Sequence, residues 1–130
     1  MLAVDTNVVV RYLARDDARQ TAQADELFRS QQLLILKTVL LETEWVLRYS
    51  YGFDRGLIGA ALRGVAGLPN VTIEDAAAVS HALDWFDDGM GFADALHVAG
   101  SAGADQFVTF DRKLSTLTRR PPVVKVLLLH

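Results

Sequence analysis

Four acidic residues stand beside segments that should be buried: Asp5, Glu42, Asp94 and Asp111. Gathered in one place, their carboxylates would repel one another without a counter-charge, and their oxygen atoms suit Mg²⁺ or Mn²⁺ rather than zinc. A divalent cation can activate water and hold a phosphate oxygen, so such a cluster indicates phosphodiester hydrolysis. Spacing alone does not select these four acids from the sixteen in the chain.

Three of the four acids have a simpler explanation. Asp5, in Val4-Asp5-Thr6-Asn7, could be a turn or capping residue, and Asp111, before Arg112-Lys113-Leu114, could cap a short helix. Asp94 could be explained by a favourable interaction with a helix N-terminus. The residues themselves leave both interpretations open.

Glu42 is harder to explain as a surface residue. It shares a predicted helix face with three residues that are expected to be buried: Val39, Trp45 and Val46. A buried carboxylate must be paired, protonated or bound to metal. Glu44 is expected instead to form an exposed ion pair with Arg48 at i+4. If Glu44 turned inward, this helix phase would be wrong and the metal ligands would change.

Strand and helix candidates alternate along the chain. Continuous apolar runs predict strands at Leu2–Val4, Leu33–Leu36, Val71–Ile73, Phe107–Phe110 and Val123–Leu129. Helical spacing or capping residues predict helices around Val8–Leu13, at Thr21–Arg29 and Val39–Tyr49, between Asp54 and Gly67, from Asp75 to Phe86, and at Phe92–Ala102. Thr38, Asp54 and Asp75 are the predicted N-caps.

This alternation predicts a three-layer α/β/α fold with a mainly parallel central sheet. At 130 residues the chain is expected to form one domain, residues 1–130. Ligands of such sheets bind beyond the carboxyl ends of the strands, where Asp5 and Asp111 are predicted to lie.

Composition excludes several classes of protein. A hydrophobic content of 51% and a charged content of 22% exclude a disordered or fibrous chain. The absence of cysteine excludes disulfides and thiolate zinc sites. Without an apolar run of the ~20 residues that cross a bilayer, or the order of a signal peptide, a cytoplasmic protein is expected. The high apolar content favours a homodimer.

Charge is unevenly distributed. The net charge of −3 argues against binding nucleic acid by bulk electrostatics. However, Gly64–Asp111 holds eight acids and no Lys or Arg, whereas the following segment is basic through Arg112, Lys113, Arg119, Arg120 and Lys125. An unevenly charged but merely solvated surface would give the same pattern.

The order of four short motifs identifies a known family. The chain resembles the PIN-domain nucleases, in particular the VapC-type toxins of bacterial toxin–antitoxin modules. The resemblance covers nearly the whole length and is carried by Val4-Asp5-Thr6-Asn7-Val8, Leu41-Glu42-Thr43-Glu44-Trp45-Val46-Leu47, Phe92-Ala93-Asp94-Ala95-Leu96 and Val108-Thr109-Phe110-Asp111.

The resemblance implies a function and residue roles. It implies an endoribonuclease in which Asp5, Glu42, Asp94 and Asp111 coordinate Mg²⁺ or Mn²⁺, and in which Asn7 and Thr109 help to arrange the acids or a water. Family members are usually dimeric and are neutralised by an antitoxin that covers the acidic pocket. Arg11, Arg112 and Lys113 are expected to contact RNA phosphates. Glu44 and Asp105 are nearby acids without an assigned role.

Two other functions fit parts of the sequence. An aspartate-nucleophile phosphatase also begins with an Asp after the first strand, but it would need a second Asp where this chain has Asn7. A catalytically inactive PIN-like scaffold could bind a partner through its apolar surface. Loss of one of the four acids would have favoured the scaffold.

Overall fold

The computed structural model describes residues 1–118 and 123–130. In chain order, the elements of these residues are β1 (Leu2–Ala3), α1 (Thr6–Ala14), α2 (Ala18–Ser30), β2 (Leu33–Ile35), α3 (Lys37–Tyr49), α4 (Arg55–Ala66), β3 (Val71–Ile73), α5 (Ala76–Asp87), α6 (Phe92–Ala99), β4 (Gln106–Thr109), α7 (Arg112–Leu117) and β5 (Lys125–Leu128). Arg119 and Arg120 of the predicted basic segment lie outside the described residues. None of the described helices is long and apolar enough to cross a membrane.

The chain divides into two compact units, Met1–Ala76 and Ala77–His130. The first holds a three-stranded sheet in the order β1-β2-β3, in which Leu33 of β2 pairs with Leu2 on one side and Val71 on the other. Both pairings are parallel, so helices must carry the chain back between strands: α1 and α2 after β1, and α3 and α4 after β2. The single domain expected from chain length stays a prediction.

The core of the first unit forms between its sheet and its helices. Fully buried apolar side chains include Val9 of α1, Leu33 and Ile35 of β2, Leu47 of α3 and Ile58 of α4. The rings of Tyr12 and Phe28 stack at 4.0 Å between centroids, which joins α1 to α2. The Asn70 amide donates to the Phe28 and Gln31 carbonyls and so ties the end of α2 to the start of β3.

The second unit contains α5, α6, α7 and a two-stranded sheet. Strands β4 and β5 pair in parallel from Gln106–Lys125 to Thr109–Leu128, and α7 lies between them in the chain. The rings of Phe86 and Phe92 meet edge to face at 5.6 Å and join α5 to α6. The turn between these helices contains Gly89 at φ +108°, a conformation that requires glycine.

Parallel pairing in both sheets confirms the predicted α/β class. Strand β3 has the predicted bounds, and the Asp54 carboxylate caps α4 as expected by accepting from the Leu57 N–H at 2.8 Å. The predicted Thr38 cap is wrong, because α3 begins at Lys37 with Leu36 in the N-cap position. Helix α6 ends at Ala99 rather than at the predicted Ala102. The N–H of the next residue, Gly100, donates to the Leu96 carbonyl.

The predicted phase of α3 is also wrong. Its buried residues are Leu40, Thr43, Glu44 and Leu47, whereas Glu42 is exposed and Trp45 is 52% exposed. Apolar side chains occur on all sides of this helix, so the sequence allowed more than one buried face. Packing selects the face of Leu40 and Leu47, which lie seven residues apart. The inference that Glu42 needs a partner because it is buried therefore does not hold.

The two polar residues on the buried face of α3 have partners within the helix. The Thr43 hydroxyl donates to the Val39 carbonyl at 2.7 Å. The Glu44 carboxylate, only 2% exposed, accepts two bonds from Arg48: Nε to Oε2 at 2.6 Å and Nη2 to Oε1 at 3.1 Å. The predicted Glu44–Arg48 partnership is confirmed, but Glu44 is buried rather than exposed. Its hydrogen bond is the main reason that the pKa of Arg48 is raised.

Replacing Arg48 should therefore cost more stability than replacing an arginine in an exposed pair. Arg48→Met leaves a buried carboxylate without its partner and should lower the free energy of unfolding by about 1–3 kcal/mol. The control is Arg29→Met, which breaks the exposed i,i+3 pair with Glu26 on α2 and should cost less than about 0.5 kcal/mol. Urea denaturation measures both, and equal losses would contradict the buried pair.

Candidate active site

Asp5 lies where the chain passes from β1 to α1. It is the N-cap of α1, and its Oδ1 accepts a hydrogen bond from the Thr6 N–H at 2.7 Å. The simpler interpretation of Asp5 as a capping residue is therefore right about its local geometry. Capping occupies one carboxylate oxygen, however, and the residue is exposed. Among the described residues no hydrogen bond is made to the other oxygen, so it is available to bind a cation.

Asp111 has the equivalent position between β4 and α7. Its Oδ1 accepts from the Leu114 N–H at 3.0 Å, so it caps α7 as the simpler interpretation expected. The Thr109 hydroxyl accepts from the Asp111 N–H at 3.0 Å. Thr109 thus holds the backbone of Asp111 directly, and the supporting role that the resemblance implies for Thr109 stays a prediction.

Asp94 and Asp111 line one cavity of about 220 Å³ in the second unit. Asp94 is the third residue of α6, lies in the first turn of that helix and is exposed. Lys113 lines the same cavity, although it makes no ion pair with a carboxylate of the described residues. Two predicted metal ligands and one predicted phosphate contact therefore share a cavity.

The remaining predicted residues of the first unit lie on α1 and α3, which pack against each other. Glu42 is on the exposed face of α3. Asn7, in the first turn of α1, lines a cavity of about 480 Å³ together with Arg11, Gln20 and Gln23. Arg112 is exposed in the second unit, and Asp105 is exposed just before β4.

An acidic pair follows β3, and the sequence predicts only a capping role for Asp75 and no contact of the pair with Lys37. Glu74 accepts from the Lys37 N–H at 2.9 Å, and the Asp75 carboxylate lies 3.2 Å from the Lys37 ammonium. Asp75 thus has a cation from the protein itself. Asp5, which follows β1 in the same parallel sheet, has no such partner among the described residues. The two aspartates thus differ in counter-charge, and the sequence does not show this difference.

The chemistry of the available ligands fits Mg²⁺ or Mn²⁺. Both carboxylates of the 220 Å³ cavity provide oxygen ligands, and Mg²⁺ is commonly held by one or two carboxylates together with water and substrate phosphates. Within residues 1–118 and 123–130, no group of three or more Asp, Glu or His side chains is arranged to hold a metal ion. The gathering of all four acids stays a prediction.

Arg11 is held in place by neighbours from three parts of the first unit. Its Nη1 donates to the Tyr51 hydroxyl at 2.7 Å and to Asp16 at 3.2 Å, and its Nε donates to Gln20. The Tyr51 hydroxyl in turn donates to Asp16 at 2.7 Å. This last hydrogen bond is the main cause that lowers the pKa of Asp16, and it raises the pKa of Tyr51.

Removing the Tyr51 hydroxyl should therefore change the titration of Asp16. In Tyr51→Phe, the pKa of Asp16 should rise towards its ordinary value, because the ionised carboxylate loses a donor. Because the pKa of Asp16 is lowered in the folded wild type, the ionised carboxylate stabilises the fold above its ordinary pKa, and this stabilisation is lost as the pH falls. The variant lacks this contribution and should therefore lose less stability on acidification than the wild type does. Carboxyl ¹³C NMR measures the titration. Asp25, whose pKa is lowered by Arg15, is the control and should not change.

A comparison with models of protein families matches the chain to the PIN domain over residues 2–119. No curated protein matches the sequence. PIN domains are generally metal-dependent nucleases that use divalent cations, and their three-layer α/β/α fold agrees with the predicted fold class. Because the family model matches most of the chain, this protein belongs to the PIN-domain family.

Proposed function

We propose that this PIN-domain protein is an endoribonuclease that hydrolyses RNA phosphodiester bonds with Mg²⁺ or Mn²⁺ held by Asp5, Glu42, Asp94 and Asp111. The observation that carries the proposal is the cavity shared by Asp94 and Asp111, in which two carboxylates face one space without an ion-pair partner among the described residues. Ionised carboxylates placed together favour a cation between them.

When bound, the cation supplies Lewis acidity and lowers the pKa of a coordinated water. The protein's own contribution is to fix the carboxylates. Asp5 and Asp111 are oriented by their capping bonds, and Asp111 is further held by Thr109. Lys113, on the wall of the same cavity, can draw in a phosphate of the RNA. Such prior fixation reduces the reorganisation needed during the reaction.

Glu42 and Glu44 have different surroundings, and this decides which of them can bind a metal ion. Both oxygens of the Glu44 carboxylate are bonded to Arg48, and the residue is buried. Glu42 is exposed and has no ion-pair partner among the described residues. We therefore retain Glu42 as the proposed ligand, now on the basis of the motif Leu41-Glu42 and its free carboxylate rather than of burial.

Three further properties belong to the same proposal: a toxin role in a type II toxin–antitoxin pair, a cognate antitoxin that covers the acidic pocket, and a homodimer. They are supported by the resemblance to VapC-type toxins.

Arg112 and Lys113 are exposed and free to contact phosphates, whereas Arg11 already bonds to Asp16 and Tyr51. The inactive scaffold remains the alternative, and retention of all four acids argues against it.

Asparagine substitutions can separate catalysis from helix capping. Asp5→Asn and Asp111→Asn should abolish Mg²⁺-dependent cleavage of a 5′-labelled single-stranded RNA, because each removes an anionic ligand. Asp54→Asn is the matched control: Asp54 also caps a helix through one carboxylate oxygen, but it has no proposed catalytic role. Asn caps helices about as well as Asp does, so all three variants should keep their stability. Cleavage by Asp5→Asn at the wild-type rate would contradict the proposal.

Binding of the cation should also stabilise the folded protein. Millimolar Mg²⁺ or Mn²⁺ should raise the melting temperature by mass action, relative to a sample in EDTA. Asp94→Asn should reduce this increase, since it removes a ligand from the 220 Å³ cavity. Differential scanning calorimetry measures both effects. A wild-type melting temperature that does not respond to either ion would argue against the metal site.

A further inference from the structure

Helix α3 carries two exposed aromatic side chains. Trp45 is 52% exposed and Tyr49 is 65% exposed, and their ring centroids lie 5.1 Å apart with a tilt of 47°. They are one helical turn apart, so both point from the same side of α3. The other tryptophan of the chain, Trp85, is fully buried. Adjacent exposed aromatic side chains form an apolar patch of the kind found at ligand and partner surfaces.

The two rings share their helix face with Glu42. Residues 42, 45 and 49 follow the i, i+3, i+7 spacing of one helical stripe, and all three are exposed. The rise of a helix places Glu42 about 4.5 Å from Trp45 and about 10.5 Å from Tyr49 along the axis. The aromatic face therefore continues directly from an acid of the proposed catalytic site.

Arg48 restrains the second ring. Its guanidinium carbon lies 4.5 Å from the centroid of the Tyr49 ring, and its nitrogens are fixed by the buried Glu44. A cation over one face of the ring stabilises its orientation. Exposed aromatic rings beside a planar guanidinium are the surface on which proteins stack unpaired nucleic-acid bases.

We propose that Trp45 and Tyr49 form a stacking platform for unpaired bases of the RNA beside the bond that is cleaved. The inference rests on the proposed ribonuclease function and deepens it, because it names the residues that would bind the bases of the RNA. Bases in an A-form duplex are stacked on one another and cannot present their faces to side chains. A duplex of the same sequence should therefore bind less well.

A protein partner fits the same surface less well. Even if completely buried, the two rings would contribute about 300–500 Å², so an interface with the usual ~800 Å² per partner would have to extend beyond these two residues. The acid at one end of the stripe also suits a surface shared with a bound cation better than a dry contact between proteins. Dimerisation through this face is treated as an outcome of the test.

The first measurement uses the tryptophan itself. An unstructured eight-nucleotide RNA, added in EDTA so that cleavage does not occur, should quench the exposed Trp45 saturably while the emission of buried Trp85 stays constant. The corresponding duplex should quench it less. Absence of saturable quenching by the single strand would overturn the proposal.

The second measurement compares variants that keep or remove an aromatic face. Trp45→Leu and Tyr49→Leu should weaken binding of the labelled RNA in EDTA about tenfold, whereas Trp45→Phe should stay close to the wild type. Leu57→Ser is the control, because Leu57 is an exposed apolar residue of the same unit without an aromatic ring. In Mg²⁺, the two leucine variants should raise KM and leave kcat unchanged.

The outcomes separate this inference from the proposed function. If wild-type protein cleaves RNA but the leucine variants keep their affinity and KM, the platform is wrong and the nuclease proposal stands. If the variants lose affinity in EDTA but the wild-type protein cleaves no RNA in Mg²⁺, the platform stands and the nuclease proposal is wrong. If Trp45→Leu instead converts a dimer to a monomer in sedimentation and RNA affinity does not change, the face is a protein interface and the platform is overturned.

Discussion

Parallel strand pairing is the constraint on which the rest of this structure depends. Neighbouring parallel strands cannot be joined by a short hairpin, so each is followed by helical structure that returns the chain to the start of the next strand. In the first unit this brings the carboxyl ends of β1, β2 and β3 to one edge, where Asp5, Lys37 and Glu74–Asp75 follow. In the second unit, Asp111 follows β4 in the same way. Parallel pairing thus places two of the four proposed ligands, Asp5 and Asp111, at strand ends, whereas Glu42 and Asp94 lie on helices.

Folding and function use the same carboxylates. Asp5 and Asp111 each give one oxygen to the first turn of a helix, and that hydrogen bond also fixes the direction of the other oxygen. A helix cap uses one acceptor oxygen, and binding a metal requires another oxygen that is not already bonded. A carboxylate has two oxygens and can therefore do both. The capping and catalytic interpretations of these residues are therefore compatible, which explains why local sequence cannot choose between them. Counter-charge does distinguish Asp75 from Asp5, because the Lys37 ammonium lies beside the Asp75 carboxylate.

The parts of this fold that follow from short segments could be predicted from sequence. Apolar runs predict each strand found in the described residues, and Asp54 is predictable as a cap because its acceptor bonds to a residue only three positions away. The phase of α3 could not be predicted, because its apolar residues surround the helix and distant packing decides which of them is buried. The Tyr51 bond to Arg11 joins residues 40 positions apart and leaves no local pattern. Likewise, the cavity shared by Asp94 and Asp111 depends on a turn at Gly89 that sets where α6 begins.

The rotation of α3 connects its stability to its exposed surface. Burial of Leu40 and Leu47 brings Glu44 inward, and this is tolerated because Arg48 reaches it from the next turn. The same rotation turns residues 42, 45 and 49 outward together, since they lie on the opposite side of the helix. An inward Glu42 would have buried Trp45 with it and exposed Glu44. The exposed Glu42 carboxylate and the exposed rings of Trp45 and Tyr49 therefore both follow from the orientation in which α3 packs. The Glu44–Arg48 ion pair offsets the cost of burying the Glu44 carboxylate in that orientation.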